Sequence, residues 1–286
     1  ESRVRAVAGR VTNGAWLGTF DSLCLRMLRE HRELLALPEH FGVATDEEQR
    51  GLLRELLRDD AASASSASTD GFAFVGGAAA APAVVEGDVQ RQILRWKERG
   101  LRPSEMSASG RRPPRTQAEA IARRLYPRYQ QLLWRRGMLD FSDLVLGALR
   151  LFDEQPHILD EYRRRFRHIL VDELQDTSSV QFEWLRRLAG VGADSSSLFC
   201  AADDDQSIFG WRGGDRSNVL RFMQTFENAR VIRMTTSYRC PPHSLAAARA
   251  MLIRAPSLVS KSVRSHQPAE SAARVVLRGF WDSNQE

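Results

Sequence analysis

His168-Ile169-Leu170-Val171 is a short apolar run that stops abruptly on Asp172-Glu173, and Leu198-Phe199-Cys200-Ala201-Ala202 repeats the pattern, ending on Asp203-Asp204-Asp205. Apolar runs of this length, without alternation, are expected of strands buried on both faces. Between them, Val180 to Leu188 carries apolar residues at helical spacing. Strand, helix, strand implies a parallel α/β sheet, whose ligands sit outside the carboxyl ends of its strands. Both acidic clusters fall at that edge. A third apolar strand is expected from Arg230 to Met234, ahead of Ser237-Tyr238-Arg239 and a helix from about Pro242.

Upstream of His168 the chain reads as mostly helical. Helices are expected over Phe141 to Phe152 and Ile158 to Phe166, and nearer the start a short strand, Ala15 to Gly18, should feed a helix from about Asp21 to Arg32. Leu23, Met27 and Leu28 share one face of that helix. Thr45 and Glu48 stand in the capping-box relation that starts another. Ala61 to Glu86 holds ten Ala, four Ser and three Gly with no sustained period, the composition of a disordered surface insertion. A basic helical stretch follows, interrupted by Pro113-Pro114, and Pro127 is expected to bend or break the helix from Gln117 to Arg136.

The 286 residues are 43% hydrophobic and 27% charged, which excludes fibrous, collagen-like and wholly disordered classes and suits roughly two domains. No apolar stretch approaches the roughly 18 to 20 residues of a membrane-spanning helix. Cys24, Cys200 and Cys240 are odd in number and far apart, so neither a disulfide framework nor a zinc ribbon is supported, and a reducing, intracellular compartment fits. The chain opens on Glu1 rather than Met, and its true start is expected to lie upstream. The net charge of +5 is unevenly spread: Arg91 to Arg136 contains thirteen Arg or Lys against three acids. A cationic surface of that kind attracts phosphate backbones through counterion release, although a solvated arginine-rich face has the same composition.

Adjacent carboxylates at a strand end suit nucleotide chemistry. One oxygen can hold a hydrated Mg²⁺ while its neighbour polarises a water for in-line attack on a terminal phosphate. Ile169-Leu170-Val171-Asp172-Glu173-Leu174-Gln175-Asp176-Thr177, with Gln181 beyond, resembles motif II of the UvrD/PcrA/Rep group of superfamily 1 DNA helicases. Asp203-Asp204-Asp205-Gln206-Ser207-Ile208-Phe209-Gly210-Trp211-Arg212-Gly213 resembles motif III, and Ser237-Tyr238-Arg239 the NYR of motif IV. Gly18-Thr19-Phe20-Asp21-Ser22-Leu23-Cys24-Leu25-Arg26 is similar to the family's GTFHSLCLR, and Leu139-Asp140-Phe141-Ser142-Asp143-Leu144 to its DFDDL segment.

The resemblance implies an α/β fold: a RecA-like parallel-sheet P-loop NTPase domain with an inserted all-helical subdomain. Its parts would be residues 1–45 and 139–236 for the first motor domain, 46–138 for the helical insertion with its disordered 61–86, and 237–286 for the start of a second motor domain. It implies an ATP-dependent helicase or translocase moving 3′ to 5′ on single-stranded DNA, acting at single-strand/duplex junctions in repair or recombination. ATP and Mg²⁺ would be the cofactors. By position in the motifs, Asp172 would bind the metal, Glu173 would activate water, Gln206 and Arg239 would reach the γ-phosphate, and Tyr238 would pack on adenine. Phe209 and Trp211 would stack on bases, while Arg212 and Thr19 would contact phosphates. A helix cap is the plainer role for Thr19, and Phe20 is expected to be an apolar anchor.

The chain departs from the pattern at Asp21 (usually His), Leu174 (usually aromatic), Ala202 (usually Gly) and Cys240-Pro241 (usually Ser-Thr). It also contains no G-x-x-x-x-G-K-[ST], so the phosphate-cradling loop is expected upstream of Glu1 and the later motifs downstream of Glu286. Alone, it is expected not to hydrolyse ATP. A non-catalytic nucleic-acid-binding protein derived from a helicase is the alternative, and a helicase-nuclease a third.

Overall fold

The computed structural model describes residues 14–66, 82–106, 113–192, 195–252, 258, 262–268 and 275–276. Helix α1 (Phe20–Glu30) starts on Thr19, whose hydroxyl accepts from Ser22 N, and buries Cys24, Met27 and Leu28. The expected strand over Ala15 to Gly18 does not form: no ladder partner lies beside it among the described residues. Side-chain packing holds that segment instead. Trp16 lies edge-on to Tyr162 and Phe166, with the Arg26 guanidinium 3.9 Å from its ring centre.

Strands β1 (Gly42–Val43) and β2 (Met138–Leu139) pair in parallel, Gly42 opposite Met138 and Val43 opposite Leu139. They bracket helices α2 (Asp46–Ser66), α3 (Pro82–Lys97), α4 (Pro103–Met106) and α5 (Gln117–Arg135). The helical excursion therefore leaves and returns at one point. The Thr45–Glu48 box opens α2, Thr45 N donating to Glu48 Oε2 at 2.8 Å and Glu48 N to Thr45 Oγ1 at 3.3 Å. Leu52, Leu53, Leu56, Val89, Ile93, Trp96, Leu125, Tyr126, Tyr129 and Leu133 make this unit's own apolar core.

The structure departs from expectation at several points in this unit. Ala61–Ser66 and Pro82–Glu86 are helical rather than disordered, and 67–81 lies outside the described residues. Glu86 is buried and takes a two-pronged ion pair from Arg54. Pro127 does not break α5: buried Ala122, Leu125, Tyr126, Tyr129 and Leu133 lie on both sides of it. Their packing outweighs the roughly 3 kcal/mol an interior proline costs. Part of the basic stretch is paired: Arg124 and Arg128 with Asp60 and Arg136 with Glu55, both acids of α2, Arg123 with Glu119 and Arg91 with Asp88.

The second core gathers α1, α6 (Phe141–Glu154), α7 (Pro156–Arg165) and α8 (Ser179–Ala189) around β3 (His168–Val171). Strand β4 (Ser197–Cys200) runs parallel to β3, with His168 opposite Ser197 and Val171 opposite Cys200. The strand–helix–strand reading holds, and both acidic clusters leave the carboxyl ends of the pair. The strands are covered on one face only, however. Val171 faces the helices while Leu170 and Phe199 are 78% and 61% exposed, because no described element covers the other side. Helix α9 (Asn218–Thr225) follows. The third strand does not form at Arg230 to Met234, where Ile232 and Met234 are exposed and no strand lies alongside among the described residues. Pairing begins at β5 (Thr236–Ser237), parallel to β6 (Arg264–Ser265), with α10 (Pro242–Leu252) between them. No described helix is long and apolar enough to cross a membrane.

Candidate functional site

Strand β3 ends in a forced turn. Glu173 takes φ +55°, a conformation that costs a non-glycine residue about 1–3 kcal/mol and persists only when its surroundings impose it. The ladder imposes it here: Ala201 N donates to Val171 O at 2.8 Å and Leu174 N to Ala201 O at 3.0 Å, tying the turn to the end of β4. Glu173 N also donates to Asp172 Oδ1 at 3.1 Å. Both carboxylates are exposed at the sheet edge.

A hydrogen-bonded chain joins them to the second acidic cluster. The buried Gln175 donates Nε2 to Glu173 Oε2 at 2.6 Å and accepts Asp203 N on Oε1 at 3.0 Å. Gln206 then donates Nε2 to Asp203 Oδ2 at 2.6 Å. Glu173 and Gln206 are thus linked through Gln175 and Asp203, neither of which the sequence reading singled out. A glutamine in a run of core positions was the available signal, since a buried amide must be hydrogen-bonded. Burial and the Glu173 charge raise the Asp176 carboxyl above the ordinary carboxylate range, with Arg212 opposing them.

The carboxylates of Asp203, Asp204 and Asp205 lie within 4.8 Å of one another, and Asp204 Oδ2 accepts Leu258 N at 2.7 Å. Oxygen-only donors of this kind suit a hard cation such as Mg²⁺. Sequence reading placed that role on Asp172, which stands on the same edge but outside this trio.

Beyond Gln206 the backbone makes a tight turn, Gly210–Arg212, displaying aromatics. Trp211 is 69% exposed, its ring centre 6.4 Å from that of the half-buried Phe209, and the Arg212 guanidinium sits 4.9 Å from the Phe209 ring centre. No described element buries Trp211. The turn is anchored from behind. Asp215 N donates to Thr177 O at 2.9 Å, and the buried Asn218 donates Nδ2 to Thr177 O, Thr177 Oγ1 and Ser178 O at 2.8, 3.1 and 3.2 Å. The residues after motif II therefore hold those after motif III.

Thr19 caps α1, and Phe20 packs edge-on against Trp184 with ring centres 5.8 Å apart, the apolar anchor expected of it. Tyr238 and Arg239 are exposed at the β5–β6 corner. The Tyr238 ring lies 4.7 Å from that of His266, and Gln267 Nε2 donates to the carbonyls of Tyr238 and Arg239 at 3.4 and 3.1 Å. Among the described residues no hydrogen bond or ion pair joins either side chain to Asp172, Glu173 or Gln206.

Comparison with known proteins identifies the family. The family model for the UvrD/REP helicase N-terminal domain matches residues 1–227. DNA helicase II of Salmonella typhimurium and that of Escherichia coli are each 35% identical over 255 residues, covering 87% of this chain and 31% of theirs. The ATP-dependent DNA helicase PcrA of Staphylococcus aureus is 28% identical over 252 residues, covering 88% of this chain and 31% of its own. The chain spans about a third of the length of these relatives. With the family match extending over most of its residues, the chain belongs to the UvrD/REP helicase N-terminal domain family.

Proposed function

We propose that this chain is the part of an ATP-driven DNA helicase or translocase that couples nucleotide hydrolysis to a grip on single-stranded DNA, working 3′ to 5′ and at single-strand/duplex junctions. The observation that carries the reading is the chain Glu173–Gln175–Asp203–Gln206, which connects a candidate catalytic carboxylate to the loop bearing Phe209 and Trp211. Residues 1–45 and 139–236 form the motor domain, 46–138 the helical insertion, and 237–286 the start of a second motor domain.

Asp172 would hold Mg²⁺, and the ion would supply positive charge to the phosphates. Glu173 accepts the proton of the attacking water as its oxygen bonds to the γ-phosphorus and the bond to the β–γ bridging oxygen breaks. The Gln175 amide holds the Glu173 carboxylate in one orientation for that transfer. Gln206 contacts the γ-phosphate, and its loss on hydrolysis changes the pull on Asp203 and on the turn that follows. Arg239 meets the γ-phosphate from across the cleft, and Tyr238 packs on adenine. Phe209 and Trp211 stack on bases without regard to sequence, while Arg212 and Thr19 take backbone phosphates.

In a polypeptide that joins this chain to a phosphate-binding loop, Glu173→Gln is expected to lower DNA-stimulated ATP hydrolysis by about 10²- to 10⁴-fold while nucleotide still binds. Unchanged turnover removes Glu173 from its role. In the chain as it stands, Trp211→Ala is expected to weaken binding of a labelled oligo-dT by the roughly 1–3 kcal/mol of one stacked base, measured by fluorescence anisotropy.

A further inference from the structure

Two carboxylates outside the nucleotide edge lie beneath the aromatic turn. Glu98, just past the end of α3, donates its N–H to Leu94 O at 2.9 Å, and its carbonyl accepts Val180 N at 3.3 Å. Its carboxylate accepts the Ser142 hydroxyl at 2.6 Å and is hydrogen-bonded to the Ser178 side chain. Its stem occupies the space beside Gly213, where an added Cβ would stand 2.7 Å from Glu98 Cγ, and Gly213 itself takes φ +94°. One residue of the helical insertion therefore touches the starts of α6 and α8 and the end of the aromatic turn.

Asp21, in the first turn of α1 and at a point where the chain departs from its family's pattern, completes the arrangement. It is hydrogen-bonded to Gln181 and faces Arg212. The charged groups facing Glu98 are Asp21 from α1 and Asp140 from the start of α6, while Arg212 reaches the pair through Asp21. The neighbouring Lys97 is occupied by Asp140 and Asp143. Burial raises the Glu98 carboxyl, with Asp21 and Asp140 adding to it and the two serine hydrogen bonds opposing. Burial likewise raises Asp21, against Gln181 and Arg212.

We propose that Glu98 is a positioning residue for the single-stranded DNA platform: its stem seats the Phe209–Gly213 turn against the helical insertion and so fixes where Trp211 is displayed. This rests on reading the turn as the DNA face.

The test measures anisotropy of a labelled oligo-dT at fixed salt and pH, with thermal midpoints beside it. Glu98→Ala is expected to weaken binding about three- to tenfold, the coupling usual between contacting residues. Glu98→Gln, which keeps the stem and one acceptor oxygen, recovers most of that loss. In the Trp211→Ala background Glu98→Ala adds little, because both act through one turn. The proposal is overturned if Glu98→Ala binds as the native chain does, if its loss adds in full to that of Trp211→Ala, or if Glu98→Gln loses as much as Glu98→Ala. Trp211→Ala without effect sinks the DNA-face reading itself, and this proposal with it. Should Glu98→Ala not fold, Gly213→Ala, whose added methyl would meet the Glu98 stem, decides: it is expected to weaken binding, and native affinity overturns the proposal.

Discussion

Asp140 with Asp143, and Asp172 with Glu173, are two pairs of acids placed by similar local sequence and put to opposite uses. Asp140 and Asp143 cap α6 as a reciprocal box and lie buried. Between them sits Lys97, wholly buried, its Nζ 2.6 Å from Asp140 Oδ2 and 2.7 Å from Asp143 Oδ1. Tyr129 donates to Asp140 at 3.1 Å and Gln130 to Asp143 at 3.0 Å. Burial works against the ammonium, but the two carboxylates outweigh it and Lys97 is raised. One ammonium does not balance two buried acids, so burial and Asp140 push the Asp143 carboxyl up to about 6. Among the described residues no cation pairs with Asp172 or Glu173, and both remain open to solvent. Acids that hold a structure are buried and matched; acids meant for a ligand are left exposed and short of positive charge.

Removing the lysine tests that contrast most severely. Lys97→Ala leaves two carboxylates buried without their cation and is expected to cost about 3–5 kcal/mol in urea unfolding. A loss within measurement error would mean that solvent reaches the cluster. Asp143→Asn comes next, as a change of slope. A carboxyl whose folded-state pKa is raised favours the fold below its unfolded pKa and loses that contribution as the pH rises through the folded value. Native stability should therefore fall between the ordinary carboxylate range and about pH 6, and Asp143→Asn should flatten that fall. The smallest change is expected from Asp172→Asn and Glu173→Gln. Both side chains are exposed, so unfolding free energies should stay within about 0.5 kcal/mol of the native chain. A large loss at either would move that pair to the structural class.

Local signals were legible where the chemistry is local. The β3 and β4 runs, the Thr45–Glu48 box and the helices at Phe141 and Pro156 follow from spacing and caps, which act within a few residues. The helix runs on through Pro127 because the α2 and α3 faces that hold α5 come from distant sequence, whereas an interior proline is judged by its own turn. Pairing within the arginine-rich segment was hidden for the same reason: the partners Asp60 and Glu55 lie on α2. Within the site, Asp172, Glu173, Gln206 and Trp211 stood out by motif, and the structure links Glu173 to Gln206. Gln175, Asn218 and Glu98 did not stand out, since an amide or acid shows its role only once its partners surround it.

By itself the order of residues determined the family, the parallel strand pair and the edge at which both acidic clusters emerge, because strand periodicity and motif spacing are properties of contiguous chain. Only the tertiary structure decided which charges are spent on one another. Lys97 meets Asp140, Glu98 meets Gly213 and Gln175 bridges Glu173 to Asp203 across separations that no local pattern encodes, through contacts that exist once two cores have closed around them.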